Sequence, residues 1–189
     1  MATLVLAVVC CGIYPLVVLG ISQALFRDKA NGSLIVDSTG NVVGSRLLGQ
    51  QFTADKYFHS RPSAAGNGYD ATASGGSNLG PTSTNLVKSI AQNISDYRTQ
   101  NGLGTNDAVP ADAVTASASG LDPHISVRNA ELQAPRVAKA RGLAPEKVLE
   151  LVHSNTEGPD LGILGEPGVN VLKLNLALDS FPAQNSVTK

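Results

Sequence analysis

The chain begins with MATLVLAVVCCGIYPLVVLGISQALFRDK, residues 1–29, a stretch that contains no charged side chain before Arg27. Most of its side chains are apolar. An α-helix that rises about 1.5 Å per residue would extend roughly 35 Å from Leu4 to Phe26, which is enough to cross the roughly 30 Å hydrocarbon core of a bilayer. The stretch therefore predicts a single transmembrane helix, which we assign to residues 1–27.

A cleaved secretory signal is the alternative, because Ser22 and Ala24 have the spacing of a small-residue cleavage site. Such a signal needs a basic region followed by an apolar stretch of about 7 to 15 residues. The apolar stretch here is longer and has no Lys or Arg ahead of it, so we expect a retained anchor. Membrane helices tolerate Gly12 and Pro15, and small residues on a helix surface favour close packing against a partner helix.

Residues 28–189 have the size of one soluble domain. The whole chain carries 14 basic and 15 acidic residues, a formal net charge of −1, without a basic run. This balance argues against nucleic acid as a partner, because phosphodiester recognition needs a basic footprint. The cysteines, Cys10 and Cys11, lie in the apolar stretch, so the soluble domain has neither a disulfide framework nor a cysteine zinc site.

Hydrophobic periodicity predicts an α+β soluble domain in which a small sheet carries several helices. The segments SLIVD and NVVGSRLL, joined through the turn formers STGN, predict a β-hairpin at 33–48. Residues 51–83 are rich in Gly, Ser, Asn and Pro and predict a long loop. Helices are expected at TNLVKSIAQNISDYRTQNG (84–102), AELQAPRVAKARG (130–142) and APEKVLELVHSN (144–155). Leucine alternation in VNVLKLNLALD, residues 169–179, predicts a strand with one buried face.

Few residues suggest catalysis or metal binding. His59, His124 and His153 lack Cys or carboxylate companions at metal-ligand spacing, so we assign no metal site. Ser117, Ser119, Asp122 and His124 lie close together in the sequence and suggest a serine hydrolase. A nucleophile elbow needs G-x-S-x-G, and a penicillin-binding type of serine needs a lysine three residues later. Neither pattern occurs around these serines, so we assign no catalytic residue.

The loop TASGGSNLGPTS, residues 72–83, raises the question of a phosphate site, since glycines let the backbone approach a ligand closely. It has neither the G-x-x-x-x-G-K-[ST] nor the G-x-G-x-x-G pattern and contains no Lys or Arg. Arg61 and Arg136, each next to a proline, could bind a carboxylate or phosphate, although ion pairs with Asp or Glu are commoner. A structural loop is therefore the leading interpretation, with phosphate contact left open.

Five segments follow one another behind a membrane segment that contains GIYPLVVLG: GQQFTADKYFHSRPS, ASGGSNLGPTS, VTASASGLD, PRVAKARGL and VNVLKLNLALD. In this order they resemble the C subunits of the Kdp-type potassium-transporting ATPases, the KdpC family, over nearly the full length of the chain. One departure is that no basic residue precedes the membrane segment, so the membrane orientation rests on analogy.

The resemblance implies a single-pass subunit of the bacterial plasma membrane, in a complex with a channel-like potassium subunit, a P-type ATP-hydrolysing subunit and a small membrane subunit. It implies that this subunit does not itself hydrolyse ATP. It further implies that the subunit acts as a catalytic chaperone, which raises the ATP affinity of the hydrolysing subunit. The sequence agrees, because it has neither a D-K-T-G phosphorylation motif nor a T-V-G-Y-G-like filter. No tightly bound cofactor is implied, only ATP in a transient complex. SGGS is similar to the LSGGQ signature of ABC transporters, so the resemblance implies Ser74, Gly75, Gly76 and Ser77 as candidate nucleotide or docking contacts, with Gln133 and Arg136 as helpers.

A second interpretation of the resemblance places the soluble domain outside the cell, as a cap over the channel-like subunit, and we favour it. ATP is absent there, so any effect on ATP affinity would pass through subunit contacts as a coupling free energy, typically about 1 to 3 kcal/mol. Residues 72–83 would then be a docking loop, aided by Tyr57, Phe58 and Arg61, residue types enriched at interfaces. The alternative outside the family is an independent membrane-anchored extracytoplasmic binding module.

Overall fold

The computed structural model describes residues 1–37, 39–159 and 161–181. Residues 182–189 of the predicted soluble domain and Ser38 of the predicted turn lie outside this description. The chain forms two compact units, Met1–Leu47 and Leu48–Lys189. The first contains the apolar helix and a two-stranded sheet, and the second contains a three-stranded sheet with several helices. This arrangement confirms the α+β prediction with an N-terminal apolar helix.

The apolar helix extends over Ala2–Leu25, with a mean hydropathy of 2.7 in its 18-residue window, and is long and apolar enough to cross a membrane. Its parts are α1 (Ala2–Val8), a π-helical turn (Val9–Ile13) and α2 (Tyr14–Leu25). Pro15 explains the turn, because it has no N–H and its ring crowds the carbonyl four residues earlier. The Tyr14 N–H bonds instead to the Val9 carbonyl, five residues back.

A short helix, α3 (Arg27–Ala30), leads into the predicted hairpin, which is confirmed. Its strands β1 (Leu34–Val36) and β2 (Val42–Ser45) pair antiparallel. The Asp37 carboxylate closes the turn by accepting hydrogen bonds from the backbone N–H groups of residues 39 and 41, at 2.8 and 2.9 Å. Side chains that bond their own backbone two residues on favour such turns, which is why Asp follows a strand here.

The sheet of the second unit has the strand order β3-β5-β4, with antiparallel neighbours throughout. Its strands are β3 (His124–Ser126), β4 (Thr156–Glu157) and β5 (Gly168–Asn170). Val169 in the central strand pairs with residue 125 on one side and residue 156 on the other, and its side chain is fully buried. The second unit therefore contains a small sheet with an apolar centre.

The helices of the second unit are α4 (Thr84–Asn101), α5 (Ala111–Val114), α6 (Val127–Arg141), α7 (Pro145–Ser154) and α8 (Val171–Ser180). The three helices expected from periodicity are confirmed as α4, α6 and α7. Their ends follow ordinary capping rules, since Ser83 and Ser126 accept hydrogen bonds from the first turns of α4 and α6. Gly102 and Gly142 end these helices with positive φ of 64° and 65°.

The prediction of a strand over residues 169–179 is wrong beyond its first two residues. Strand β5 ends at Asn170, whose side chain accepts the Lys173 N–H at 3.1 Å and thereby caps α8. Residues buried at 171, 174, 175 and 178 follow a helical period. The apolar residues are so dense here that both periods fit the sequence. The asparagine cap and the helix-forming Leu, Ala and Lys residues favour the helix.

Helices α6, α7 and α8 pack with the sheet around one hydrophobic core. Its buried residues are Phe58, Ile125, Ala130, Ala134, Val137, Ala138, Val148, Val152, Val169, Val171, Leu174 and Leu178. Phe58 is the member of this core that comes from the long loop. The loop is therefore attached to the core by an aromatic side chain as well as by polar contacts.

Candidate functional site

The glycine-rich stretch Ser74–Ser77 lies against residues 117–120, and both segments are connections rather than regular elements. The Gly75 N–H and the Ser74 hydroxyl both donate to the Ser119 carbonyl, at 2.9 and 3.0 Å. Gly120 has a φ of +67°, and a Cβ there would lie 2.7 Å from the Gly75 carbonyl oxygen and 2.7 Å from the Ala65 backbone nitrogen. Only glycine fits where these backbone segments approach each other. The two hydrogen bonds to Ser119 hold this inner edge of the loop in place.

The outer edge of the same loop faces away from this contact. Ser74 and Ser77 are exposed, and the loop continues through exposed residues to Gly80. A Cβ on Gly76 would lie 3.0 Å from the Ala118 carbonyl oxygen, whereas a Cβ on Gly75 would meet no atom of a distant residue within 4 Å. Two neighbouring glycines thus differ in the space around them, and this difference is useful for experiments.

A chain of charged side chains links the loop to the sheet and to α8. Arg61 Nη1 lies 2.9 Å from the Asp122 carboxylate, which confirms an ion pair as the fate of this arginine. His124 lies between Asp122, 3.7 Å from its Nδ1, and Glu157, 3.2 Å from its Nε2. Glu157 also pairs with Lys173. The two carboxylates, Asp122 first, raise the pKa of His124, and the bond to Lys173 lowers the pKa of Glu157.

These contacts do not support the serine hydrolase alternative. The His124 ring faces the carboxylates of Asp122 and Glu157. The Ser119 hydroxyl accepts the Leu121 N–H at 3.1 Å instead of meeting a histidine. A nucleophilic serine needs a base within hydrogen-bond reach, and these residues do not form that arrangement.

Gln133 is a buried structural amide with 1% of its surface exposed. Its Oε1 accepts the His59 N–H at 2.7 Å and a bond from Arg136 Nη2 at 2.7 Å. Its Nε2 donates to the His59 carbonyl at 3.1 Å and to Asn129 Oδ1 at 2.9 Å. All four hydrogen-bonding positions of this amide are used within the protein. A nucleotide could reach it only by displacing one of these partners.

Asn175 on α8 forms the same kind of amide-to-backbone pairing as Gln133, with the residue just before His59 in the loop. Its Oδ1 accepts the Phe58 N–H at 2.8 Å, and its Nδ2 donates to the Phe58 carbonyl at 3.0 Å. Two buried amides, Asn175 and Gln133, therefore pair with the backbone of consecutive residues as a neighbouring strand would. Buried backbone groups need such partners, and a single asparagine in an apolar helix was the one sequence signal for this role.

Arg136 is half-buried and bonds mainly to carbonyl oxygens rather than to a carboxylate. Its Nη1 donates to the Asp55 and Tyr57 carbonyls at 2.7 and 3.0 Å, and its Nε donates to Asn101 Oδ1 at 3.0 Å. Burial lowers the pKa of Arg136, and burial followed by the Arg136 charge lowers the pKa of His59. The guanidinium thus holds the start of the long loop next to a histidine that is kept neutral.

The structure corrects one expected interface residue. Phe58 was expected at a surface contact, but its side chain is fully buried in the core. Its neighbour Tyr57 packs between Phe52 and the cations of Lys56 and Arg141, with ring or cation distances of 5.4, 5.0 and 5.1 Å. These aromatic side chains stabilise the loop from within the second unit.

A polar cleft of about 400 Å³ lies between the loop and α4. Amides and hydroxyls dominate its walls, and Gln133 forms part of them. The described lining residues include neither Arg136 nor the stretch Ser74–Ser77. Among the described hydrogen bonds, those of Ser74 and Gly75 go to Ser119, and those of Gln133 and Arg136 go elsewhere. The six predicted contacts thus fall at two separate places, and their role in nucleotide binding or docking stays a prediction.

Comparison with known proteins gives a consistent result. Residues 1–180 match the family described as "KdpC: K+-transporting ATPase, c chain". The "Potassium-transporting ATPase KdpC subunit" of Mycobacterium tuberculosis is 56% identical over 167 residues, 88% of this chain and 88% of that protein. The protein of the same name from Nitratidesulfovibrio vulgaris is 55% identical over 181 residues, 95% and 90% of the two chains. On this full-length match and its apolar N-terminal helix, the chain belongs to the KdpC family of potassium-transporting ATPase subunits.

Proposed function

We propose that this chain is a non-catalytic accessory subunit that assembles with the channel-like, ATP-hydrolysing and small membrane subunits of a potassium uptake complex. The helix Ala2–Leu25 anchors it in the bacterial plasma membrane, and the domain behind the anchor forms a cap over the channel-like subunit outside the cell. The observation that carries this proposal is the loop 72–83, whose inner edge is fixed on Ser119 while its outer edge is exposed.

A pre-ordered loop is suited to docking because binding then immobilises few additional groups. Two hydrogen bonds to one carbonyl and the close backbone approach at Gly120 already hold its backbone. Its exposed part offers small polar groups and the partly exposed Leu79, and it contains no Lys or Arg that could neutralise a phosphate. These features favour a protein surface over a nucleotide as the partner of the loop.

The chaperone role is then indirect. The stretch Ser74–Ser77 and the pair Gln133 and Arg136 contact different segments, and the Gln133 amide is fully used. An effect on ATP affinity therefore passes through subunit contacts as a coupling free energy of about 1 to 3 kcal/mol. In intact cells, we expect the exposed Lys88 to react with an amine-modifying reagent that cannot cross the membrane. Labelling only after the cytoplasmic face is opened would contradict the cap.

The docking role is tested at Gly75, where there is space for a side chain, rather than at Gly76, where a Cβ would lie only 3.0 Å from the Ala118 carbonyl oxygen. We expect Gly75→Ala and Gly75→Asp to lower retention of this subunit in the purified complex in order of side-chain size. The Michaelis constant for ATP of the complex that remains should stay unchanged. If the loop binds phosphate, the added carboxylate should raise that constant, and Gly75→Ala should raise it much less.

Gly80→Asp is the matched control, since Gly80 also has open space and lies at the far end of the same loop. A graded loss with Gly75 variants and a smaller loss with Gly80→Asp would locate the contact near Ser74–Ser77. Full retention of both Gly75 variants would contradict docking through this stretch.

A further inference from the structure

The β1–β2 hairpin exposes an apolar face shortly after the apolar N-terminal helix. Val36 and Val42 are paired across its strands, and Leu34 lies two residues before Val36 on the same face. Leu34 is 46% exposed, Val36 is 53% exposed and Val42 is 59% exposed. We call these three residues the hairpin face. A two-stranded hairpin is at best marginally stable in water, so an apolar face of this kind gains stability from a cover.

Hydrogen bonds fold the start of the hairpin back onto the end of the apolar helix. Gln23 Nε2, in the last turn of α2, donates to Asn31 Oδ1 at 3.1 Å. The Ser33 N–H donates to the Asp28 carbonyl at 2.9 Å. Ser33 has a φ of 51°, in the left-handed region that serine seldom adopts. The chain therefore turns back tightly here and does not extend away from the helix.

The second strand of the hairpin is attached to the same turn. The Arg46 N–H donates to the Ser33 carbonyl at 3.0 Å, and the Arg46 guanidinium forms an ion pair with Asp28. The Ser45 hydroxyl donates to the Gly32 carbonyl at 2.7 Å. The apolar helix, α3 and the hairpin accordingly belong to one compact unit. A change in the position of the hairpin relative to the helix would break several of these bonds.

The length of the chain limits how far the hairpin face can lie from the hydrocarbon of a bilayer. The helix has 24 residues and is about 36 Å long, so its last turn lies at the edge of a hydrocarbon core of about 30 Å. Leu34 follows three residues after Asn31, which contacts that turn, and is at most about 10 Å from it. The polar layer on each side of the core is about 5 to 8 Å thick. The hairpin face therefore begins in this layer or next to it.

The charges of this segment match a bilayer surface. Arg27 and Lys29 are exposed just after the helix, and residues 27–48 contain three basic and two acidic side chains. In the rest of the chain, acidic side chains outnumber basic ones. Anionic lipid headgroups attract basic segments next to a membrane helix, and long basic side chains can keep their stems in apolar surroundings. Position and charge thus favour the bilayer as the cover of the hairpin face.

The small area of the hairpin face is sufficient for this cover. A separate protein partner has to offset the freedom that two molecules lose when they associate, and stable interfaces bury about 800 Å² on each side. The hairpin is held next to the membrane by a helix of the same chain, so the cost of association does not arise a second time. Burial of even a few aliphatic side chains then adds directly to membrane binding.

We propose that the hairpin face lies in the headgroup layer of the bilayer, with Val36 and Val42 against the ends of the acyl chains nearest the headgroups. The proposal rests on the proposed membrane anchoring by Ala2–Leu25 and is independent of the role of loop 72–83. Arg27 and Lys29 contact anionic headgroups beside it. The chain thereby has a second contact with the membrane, which fixes the place where it leaves the bilayer for the second unit.

The test places a tryptophan on the hairpin face of the full chain, which has no tryptophan of its own. The Val42→Trp chain is reconstituted without other subunits in vesicles of phosphatidylcholine and phosphatidylglycerol. We expect blue-shifted emission. Lipid brominated in the upper part of its acyl chains should quench this emission about two-fold or more as strongly as lipid brominated near the chain ends, because the hairpin face lies at the edge of the core.

Val87→Trp is the matched control, because Val87 is 61% exposed, close to the 59% of Val42, and lies on α4 of the second unit. It should show water-exposed emission and little quenching by either brominated lipid. Equal quenching of Val42→Trp and Val87→Trp would overturn the proposal. Val36→Trp provides a second measurement if Val42→Trp fails to fold, since it probes the opposite strand of the same pair, and we expect the same quenching pattern.

The other possible covers give different signals. Water-exposed emission of Val42→Trp without lipid quenching would leave the hairpin face to another subunit. A blue shift that grows with the ratio of chain to lipid, without lipid quenching, would assign it to a second copy. Stronger quenching by lipid brominated near the chain ends would place it inside the hydrocarbon core. Each of these results overturns the proposal.

The contact of Lys29 with headgroups has its own variants, made in the Val42→Trp chain. Quenching should rise when phosphatidylglycerol is added to phosphatidylcholine vesicles, and Lys29→Glu should reduce this rise by about half or more. Lys88→Glu makes the same charge change at an exposed position on α4 and should leave the rise unchanged. An equal rise in all three chains would overturn the headgroup contact.

Extraction with alkaline carbonate distinguishes failure of this proposal from failure of the proposed function. If carbonate removes the unmodified chain from the vesicles, the helix does not anchor the chain, and the proposed function fails. If the chain stays in the membrane while both Val42→Trp and Val36→Trp show water-exposed emission, only the role of the hairpin face fails.

Discussion

Two loops of the second unit use their large apolar side chains in opposite ways. In the long loop, Phe58 is fully buried, and Asn175 pairs with both polar groups of its backbone. In the loop 158–167, Leu161 and Ile163 are almost fully exposed although the strands at both ends are held in the sheet. Irregular backbone alone therefore does not indicate mobility or function. The partners of its side chains decide whether a loop is part of the packed fold.

The largest expected effect is on the free energy of unfolding when the buried apolar side chain is removed. Phe58→Ala should lower it by about 3 to 5 kcal/mol, because a cavity would remain among α6, α8 and the sheet. Ile163→Ala should change it by less than about 0.5 kcal/mol, since this side chain contacts mainly solvent. Urea unfolding of both full-length variants in detergent, followed by circular dichroism, checks the difference. Equal destabilisation would remove the contrast between the loops.

A smaller effect is expected from the amide that pairs with the loop backbone. Asn175→Leu keeps a similar volume but leaves the Phe58 N–H and carbonyl without their partners. Each unsatisfied buried group costs about 1 to 3 kcal/mol, which is about 2 to 6 kcal/mol for the two groups, and burial of the apolar leucine offsets part of this cost. We expect a net loss of about 2 to 4 kcal/mol of unfolding free energy. Asn67→Leu is the control, because Asn67 is exposed in the same loop. A loss below about 1 kcal/mol for Asn175→Leu would mean that water replaces the amide.

The smallest effect concerns the charged side chains of Asp122, His124 and Glu157, which connect the base of the loop 158–167 to strand β3. The carboxylates of Asp122 and Glu157 raise the pKa of His124 above 6.5. A histidine whose pKa is higher in the folded state stabilises fully below its unfolded pKa, and this contribution is lost as pH rises through the folded pKa. We expect unfolding free energy to fall by less than about 1 kcal/mol between about pH 6 and pH 8, because the His124 side chain is 38% exposed.

His124→Gln should flatten this part of the pH profile of stability and also weaken the acid side, because the His124 side chain is the first cause that lowers the pKa of Asp122. On the acid side, the lowered pKa values of Asp122 and Glu157 keep their contribution until pH falls through those folded-state values. A wild-type profile that rises from pH 6 to pH 8 would contradict a stabilising protonated His124.

Local signals predicted much of the fold correctly. The uncharged run before Arg27 predicts the apolar helix, and Ser83 and Gly102 mark the start and the end of α4. The two caps act within one helical turn, and the apolar run is one continuous segment, so the sequence alone contains the whole signal in each case. The same approach failed at residues 169–179, where dense leucines fit both periods and the Asn170 cap was overlooked.

The candidate site was predictable only in part, because its side chains were chosen by resemblance and by residue type. Gln133 and Arg136 were predicted as nucleotide or docking contacts, and this role stays a prediction. The structure shows that their partners include the backbone of residues 55–59, which sequence reasoning did not identify. Arg61 was expected to bind an anion or to form an ion pair, and the structure places Asp122 there. The exposure of Leu161, Ile163 and Leu164 was missed, because three aliphatic residues close together in a sequence are more often buried.

The sequence by itself determined the apolar N-terminal helix, the α+β class, the approximate bounds of α4, α6 and α7 and, through its ordered motifs, the family. Tertiary structure alone decided that Phe58 is buried, that Gln133 is fully hydrogen-bonded and that Leu161 and Ile163 are exposed. The physical reason is the range of the interactions. A cap or a helical period acts over a few residues, whereas the pairing of Phe58 with Asn175 joins positions 117 residues apart and exists only after the chain has folded.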